Sequence, residues 1–338
     1  MVALAVAGVW LLVTTPSFWL TNLGVLLVIV AVVLRPRFGL RPRKRRRLER
    51  ADAPALFALL AAIATALDVP PPEDVVLDLG TRITLDTRGL RRHTMLELGG
   101  RLWTTLTPAA RLAALAHELA HQGTGDPYRG GWARPVLRAA AALVAGTQAE
   151  RTTTSIRRSR RRGVPYLVIL GRLALRPFAL FALSVQTVLH RAGRRAHQHS
   201  EYLADSRAVS VAGTDATLAL LDRLVLADDI ARLVHHGATR RPVASWPDAV
   251  AGYVAGRTGE LDVIRQHDAR RTSLWADHAP AGRRARMVLA WPAAPARLQL
   301  GAPESARIDE ELAPWIAAVA REIIGARDFG DRGSPEAG

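Results

Sequence analysis

The chain has no cysteine among its 338 residues. This absence excludes a fold held together by disulfides and any metal site with thiolate ligands. A zinc ion in this protein would therefore have to bind histidine and carboxylate side chains. The length is sufficient for one sizeable domain and a further segment.

Charged residues are also missing from residues 1–34. This apolar stretch is longer than one ordinary membrane-spanning helix, and Thr-Thr-Pro-Ser interrupts it at 14–17. It predicts an N-terminal transmembrane anchor, either a hairpin of two helices at about 2–14 and 18–34 or a single span over the second of these ranges. A cleaved signal peptide is disfavoured, because no basic segment precedes the apolar run.

A dense run of arginine and lysine follows at residues 35–50, in a chain whose formal net charge is +16. Basic residues next to an apolar segment are typical of the cytoplasmic side of a membrane, where anionic lipid headgroups attract them. A nucleic-acid interface is the alternative for this run and for the one at 157–162. Lipid headgroups explain the first run with fewer assumptions, so we expect no nucleic-acid partner.

The most informative stretch, residues 107–126, predicts one amphipathic helix. Thr107 is expected as its N-cap and Pro108 at its first position, because both residue types are favoured there. Glycines at 123 and 125 end the pattern. Most of the other residues are alanine and leucine, so the helix is expected to be mostly buried.

This helix carries the pattern His-Glu-x-x-His at His117, Glu118 and His121. With 3.6 residues per turn, the two histidines lie one turn apart on the same face. They can hold one zinc ion, while the glutamate can take a proton from a zinc-activated water. Such side chains on a buried helix need partners, which a metal ion supplies. The pattern therefore predicts a zinc peptidase helix with one Zn²⁺ per chain.

Catalytic zinc usually takes a third protein ligand. The metzincin extension of the motif fails, because Thr124 and Pro127 stand at the positions of its Gly and His. The glutamates that remain before the C-terminal third are Glu150 and Glu201. Glu201 is favoured because it lies in an apolar helical segment with Asp205 one turn further on, a spacing that suits a ligand and the residue that supports it. The alternative is a carboxylate that faces the dipole at the start of a helix.

Three segments together resemble the HtpX-type membrane zinc metallopeptidases, which are related to the CAAX prenyl endopeptidases. The first is His-Glu-Leu-Ala-His at 117–121 with Gly-Asp shortly after it, and the second is Glu-Tyr-Leu-Ala-Asp at 201–205. The third, at 272–287, is similar to the late His-Pro-Pro-x-x-x-Arg signature of that family.

The third segment adds two residues to which only the resemblance points. His278 and Arg284 match the signature, whereas Ala279 stands where the family commonly has proline. In the family these two residues face zinc, which implies that they stabilise the oxyanion of the tetrahedral intermediate. The resemblance further implies polypeptide substrates, in particular misfolded or damaged membrane proteins.

Three β-rich segments at 75–79, 82–85 and 93–98 predict a small sheet beside the zinc helix. The last of them, which ends at Leu98 before Gly99, resembles the edge strand of the family. An exposed edge binds an extended polypeptide by strand addition, so Leu98 and Gly99 are predicted to bind substrate. A solvent-exposed hairpin is the alternative.

The predicted fold is therefore mainly α with a small β-sheet, an α+β zincin-type metallopeptidase core, together with N-terminal transmembrane helices. The predicted organisation is an anchor at 1–34, a basic juxtamembrane segment at 35–50, a metallopeptidase domain at 51–327 and a disordered tail at 328–338. A helical insertion is expected at about 132–191. Arginines in its apolar run leave two alternatives open, partly membrane-associated helices or a soluble insertion packed on the catalytic domain.

The predicted function is that of a zinc endopeptidase at the bacterial inner membrane, with its catalytic domain in the cytoplasm. Abundant alanine and arginine and the absence of cysteine fit such a source. Two other functions remain open, a zinc-binding pseudoprotease that acts as an adaptor, and a basic membrane protein that binds anionic lipid or nucleic acid. Neither of these explains why the three motif segments occur in this order.

Overall fold

A computed structural model describes residues 2–15, 17, 20–21, 24, 27–28, 31, 47–78, 80–88, 93–123, 180, 183–184, 187–188, 196–238, 246–271 and 279–331. The chain divides into two compact units. The first unit contains Met1–Leu40 and Pro127–Arg194, and the second contains Arg41–Asp126 and Arg195–Gly338. Most of the predicted insertion and of the basic segment lies outside the described residues.

Helix α1, Val2–Thr14, belongs to the first unit and covers the first helix predicted for the N-terminus. At 1.5 Å per residue, its 13 residues extend over roughly 20 Å, whereas a bilayer has a hydrocarbon core of about 30 Å. Within the part of the chain that the structure describes, no helix has both the length and the apolar character needed to cross a membrane. The prediction of N-terminal transmembrane helices is therefore wrong.

The second unit contains a four-stranded sheet. Its strands are β1 (Arg47–Leu48), β2 (Asp74–Asp78), β3 (Ile83–Arg88) and β4 (His93–Gly99). Their order across the sheet is β1-β2-β4-β3, with β2 and β4 parallel and the other two pairs antiparallel. The three predicted β segments are therefore strands, with ends that differ by at most three residues.

The edge of this sheet is not where the sequence placed it. Strand β4, which contains Leu98, pairs with β2 on one side and with β3 on the other. It is an inner strand, and the edge strands of the described sheet are β1 and β3. The prediction that the strand ending at Leu98 forms the edge is therefore wrong. Strand β4 comes last in the sequence but lies between β2 and β3 in the sheet.

Helices make up most of the second unit. They are α2 (Pro54–Leu67), α3 (Gly100–Thr105), α4 (Pro108–Ala120), α5 (described over 196–212), α6 (Thr214–Val225), α7 (Ala227–Ala238), α8 (Trp246–Ala255), α9 (Leu261–Arg270), α10 (Ala281–Ala290) and α11 (Ala302–Asp331). A 3₁₀ turn at His121–Gly123 continues α4. Helix α11 extends four residues into the predicted disordered tail, of which 332–338 lie outside the described residues.

Helix α4 is in the core of the second unit, with a continuous run of buried residues. Its N-cap is Thr107, as predicted, whose hydroxyl accepts the N–H of Ala110 at 3.4 Å. Alternate strand residues pack on the same side of the sheet and share the core with α4, namely Val75, Leu77, Ile83, Leu85, Leu96 and Leu98. The motif helix is therefore held firmly by apolar packing.

A buried arginine on α4 joins this helix to the C-terminal helix. Arg111 donates to the carbonyl oxygen of Trp103 at 3.1 Å, to Ser305 Oγ at 2.7 Å and to Asp309 Oδ2 at 2.8 Å. The indole N–H of Trp103 donates to Asp309 Oδ1 at 2.8 Å, and the guanidinium lies over the indole ring. These contacts fix the position of α4 relative to α11.

His93 forms a cluster of charges where β4 begins. Its Nε2 lies 2.6 Å from Asp74 Oδ2, and its Nδ1 lies 2.6 Å from Glu73 Oε2. Arg47 of β1 also pairs with Asp74. The hydrogen bond to Asp74 raises the pKa of His93, and the negative charges of Asp74 and Glu73 act in the same direction while burial opposes them.

This raised pKa predicts a pH-dependent stability. Protonated His93 stabilises the fold fully below its unfolded pKa of about 6.5, and the contribution is lost as pH rises through the raised folded value. We compare the free energy of unfolding of the parent with that of a His93→Gln variant. As pH rises from the unfolded to the folded pKa of His93, we expect the difference between them to fall by at most about 1 kcal/mol, because the cluster is partly exposed. Urea unfolding at several pH values, with a chelator present, measures it.

The exposed His267 of α9 provides the control, because its replacement by glutamine removes a histidine outside the cluster. The stability difference between the parent and this variant should not follow the same pH dependence. If the parent and the His93→Gln variant respond identically to pH, His93 makes no linked contribution to stability.

Candidate metal site

The two histidines of the motif meet at the C-terminal end of α4. Their Nε2 atoms are 3.1 Å apart, and the rings are nearly perpendicular, with centroids separated by 4.8 Å. Both side chains are almost completely buried. His117 lies in the last turn of α4 and His121 at its C-cap, so the one-turn spacing brings both nitrogens to the same point, as predicted.

Helix α5 brings a carboxylate to this point. Glu201 Oε2 lies 3.6 Å from His117 Nε2, and Glu201 Oε1 lies 3.4 Å from His121 Nε2. Ligand atoms around a tetrahedral zinc ion with bonds of about 2.0–2.1 Å are separated by roughly 3.3 Å. The three groups are therefore spaced as the protein ligands of one zinc ion would be.

Glu201 does not lie at the start of its helix. Residues 196–200 are already helical, so the carboxylate is at least one turn inside α5, and it is fully buried. The alternative interpretation, a carboxylate that faces the dipole at the start of a helix, does not fit this position.

One turn further along α5, Asp205 contacts the first histidine. Its Oδ1 lies 2.9 Å from His117 Nδ1. Because a carboxylate only accepts hydrogen bonds, we assign the Nδ1 proton of His117 to this contact, which leaves Nε2 as the acceptor nitrogen. Nη2 of Arg284 also lies 3.1 Å from Nδ1 and 3.3 Å from Nε2, but its shortest contact, at 2.6 Å, is with Asp205 Oδ1. The position of Asp205 is thus that of a residue which orients a metal-binding histidine.

Arg284 of α10 pairs with the same carboxylate through two nitrogens. Its Nε donates to Asp205 Oδ2 at 2.8 Å and its Nη2 to Asp205 Oδ1 at 2.6 Å, while Nη1 lies 3.3 Å from Glu201 Oε2. Burial raises the pKa of Asp205, but the charge and hydrogen bonds of Arg284 outweigh burial and hold that pKa below its ordinary value. Burial lowers the pKa of Arg284, yet the surrounding carboxylates raise it further. Each of the two groups thus favours the charged form of the other.

The charges of this cluster favour a divalent cation. Glu118, Glu201, Asp205 and Arg284 are all almost completely buried. Counted by formal charge, the three carboxylates and the one guanidinium of these four groups sum to −2. Buried charge is costly unless it is paired or bound to a metal, and one Zn²⁺ would neutralise it. The donor set therefore suits a zinc ion in both spacing and charge.

Glu118 lies between the histidines and the edge strand. Its Oε2 accepts the backbone N–H of Leu85 at 3.1 Å. Gly99 donates to the carbonyl of Arg82, so the backbone groups of Arg82 and of every second residue after it are directed at β4. The N–H of Leu85 therefore points to the other side of β3, away from β4. Ligand atoms of His117, Glu118 and His121 lie within 4.8 Å of one another, so Glu118 adjoins the metal position.

The structure brings together six of the nine site residues that the sequence predicted. They are His117, Glu118, His121, Glu201, Asp205 and Arg284. His278 lies outside the described residues. Leu98 and Gly99 are buried in the inner strand β4, so the basis for predicting that they bind substrate is lost.

Two further contacts at the site were not predicted. The backbone N–H of Leu85 reaches Glu118, and Ser200 Oγ lies 3.4 Å from His121 Nδ1. Every residue except proline has a backbone N–H, so the sequence could not single out that of Leu85. Ser200 does have a weak signal, because it directly precedes the predicted ligand Glu201 on the same helix.

No protein-family model matches this chain, and comparisons with curated proteins and with solved structures give no match. The resemblance to HtpX-type peptidases thus depends on the motif segments of the sequence.

Proposed function

We propose that this protein is a zinc-dependent endopeptidase. The observation that carries the proposal is the spacing of His117, His121 and Glu201. The two Nε2 atoms are 3.1 Å apart, and they lie 3.6 and 3.4 Å from the two carboxylate oxygens of Glu201, distances that suit three residues bound to one tetrahedral ion. Three protein ligands leave a fourth position for water, as in catalytic zinc sites. A further carboxylate, Glu118, lies beside these three residues where a general base is needed.

The side chains have distinct roles in this proposal. When bound, zinc supplies a Lewis acid that polarises the scissile carbonyl and lowers the pKa of water. Glu118 takes a proton from the attacking water and passes it to the nitrogen of the leaving amine. The N–H of Leu85 orients the carboxylate of Glu118. Asp205, held by Arg284, keeps Nε2 of His117 directed at the metal.

The contacts of Arg284 favour an orienting role for this residue. All three guanidinium nitrogens approach the carboxylates of Asp205 or Glu201. The oxyanion role that the resemblance implies for His278 and Arg284 stays a prediction.

We further propose that the substrate lies in extended form along the side of β3 that faces away from β4. Support comes from the N–H of Leu85, which points away from β4 and reaches Glu118. Backbone groups of an edge strand can align a polypeptide whatever its side chains are, which suits an endopeptidase of broad specificity. Location at the inner membrane and misfolded membrane proteins as substrates stay predictions from the sequence.

The proposal is tested with the purified full-length chain. We expect one zinc ion per chain by elemental analysis and cleavage of fluorescently labelled casein. Removal of zinc with 1,10-phenanthroline should abolish cleavage, and added zinc should restore it. Full zinc occupancy without cleavage of any polypeptide would favour the adaptor alternative, and a chain that binds no zinc would overturn the proposal.

A further inference from the structure

The two metal-binding nitrogens proposed above belong to rings that each have a second nitrogen. For His117 this nitrogen, Nδ1, lies 2.9 Å from Asp205 Oδ1. For His121 it lies 3.4 Å from Ser200 Oγ. Ser200 is 2% exposed, so its hydroxyl faces the ring in a space closed to bulk water.

We propose that Ser200 is a positioning residue for His121, an inference that rests on the proposed function. A neutral imidazole carries one proton, and the nitrogen without the proton is the one that can bind a metal. When Ser200 Oγ accepts the N–H of Nδ1, the lone pair of His121 is placed on Nε2. That nitrogen is the one that faces His117 and Glu201.

The arrangement of the two helices supports this pairing. Asp205 contacts His117, and Ser200 contacts His121. The residue that comes earlier on one helix thus contacts the residue that comes later on the other, as in two antiparallel helices. Glu201 lies between these two contacts along α5. One helix thus supplies the third ligand and a partner for the outer nitrogen of each histidine.

A hydroxyl also suits the charge of the site. The formal charges of Glu118, Glu201, Asp205 and Arg284 sum to −2, which one Zn²⁺ would balance. A second aspartate in place of Ser200 would raise the buried negative charge to −3. Ser200 can accept from the ring without adding charge, while its own proton can serve a backbone carbonyl of the preceding turn, as serine often does in helices.

The test is the zinc affinity of the full-length protein, measured by competition with a chelator of known affinity. We expect Ser200→Ala to raise the Kd for zinc by about 10-fold or more, the usual effect of removing a partner of a metal-binding histidine. The matched control is Ser210→Ala on the exposed side of the same helix, where the hydroxyl donates to the carbonyl oxygen of Arg207. Its Kd should equal that of the parent.

Ser200→Thr separates positioning from packing, because it retains the hydroxyl. We expect its Kd to return towards the parental value, and the visible spectrum of the Co²⁺-substituted protein to change in Ser200→Ala alone. A Kd for Ser200→Ala within about twofold of the parent, or equal Kd values for Ser200→Ala and Ser200→Thr, would overturn the inference. If the parent itself binds no zinc, the proposed function fails first.

Discussion

Replacement of Glu118 by glutamine should reduce casein cleavage by about 10²–10⁴-fold, the range that a general base contributes. Glutamine has nearly the same shape as glutamate, and its carbonyl oxygen can still accept the N–H of Leu85. It cannot take a proton from water at neutral pH. The loss should therefore appear in kcat, with the fold and the metal site retained. Initial rates for the purified parent and variant, both loaded with zinc, measure this effect.

The zinc content of two variants distinguishes the proposed role of Glu118 as the base from that of Glu201 as a metal ligand. Glu118→Gln should retain one zinc ion per chain, whereas Glu201→Gln should bind zinc more weakly by at least the 10–100-fold typical of lost partners around a metal. Glu304→Gln, on the exposed start of α11, is the control and should behave as the parent. Loss of zinc in Glu118→Gln would make Glu118 a ligand. Undiminished cleavage by that variant would exclude Glu118 as the base.

Replacement of Arg284 by methionine should lower the free energy of unfolding by about 3–5 kcal/mol, the cost of breaking a buried ion pair from one side. The guanidinium is 2% exposed and is the cation that approaches both Asp205 and Glu201. Methionine fills a similar volume but leaves the buried carboxylates without this partner. Urea unfolding in the presence of a chelator measures the loss without a contribution from zinc binding.

Two further variants test the reason for this loss. Arg286→Met, on the exposed side of α10, should change the stability by less than about 0.5 kcal/mol. The double variant Arg284→Met with Asp205→Asn should recover part of the loss, because removing both charges is less costly than leaving one unpaired. A loss below about 1 kcal/mol for Arg284→Met would mean that the carboxylates do not need the arginine in the native state.

The motif helix was the most predictable part of the candidate site. Its N-cap, its buried apolar residues and the one-turn spacing of His117 and His121 depend on neighbours in the sequence, and a helix converts such spacing directly into proximity. The β segments were predictable for the same reason, since alternating residues identify a strand. Asp205 was found from its i+4 distance to Glu201, which is again local.

The edge strand and the buried network were not predictable in this way. Which strand lies at the edge depends on the parallel pairing of β2 with β4, and the alternation of residues within β4 is the same in an inner strand as in an edge strand. The N–H of Leu85 reaches Glu118 only because β3 occupies that edge. The bidentate contact of Arg284 with Asp205 joins residues 79 positions apart.

The N-terminal segment is a part of the fold that was wrongly predicted from the sequence. Its lack of charge is a property of composition, and composition alone predicted transmembrane helices. The end of α1 at Thr14 agrees with the interruption at 14–17, but its 13 residues extend over only roughly 20 Å, which is less than the hydrocarbon core of a bilayer.

The sequence by itself thus determined the motif helix, the strands and the kinds of ligand available, because each is encoded within a few turns of chain. Only the tertiary structure decided which strand adjoins Glu118, how α5 and α10 enclose the histidines and how the buried charges balance. These features arise from contacts between segments that are distant in the sequence, and a local sequence pattern does not contain the free energy of such contacts.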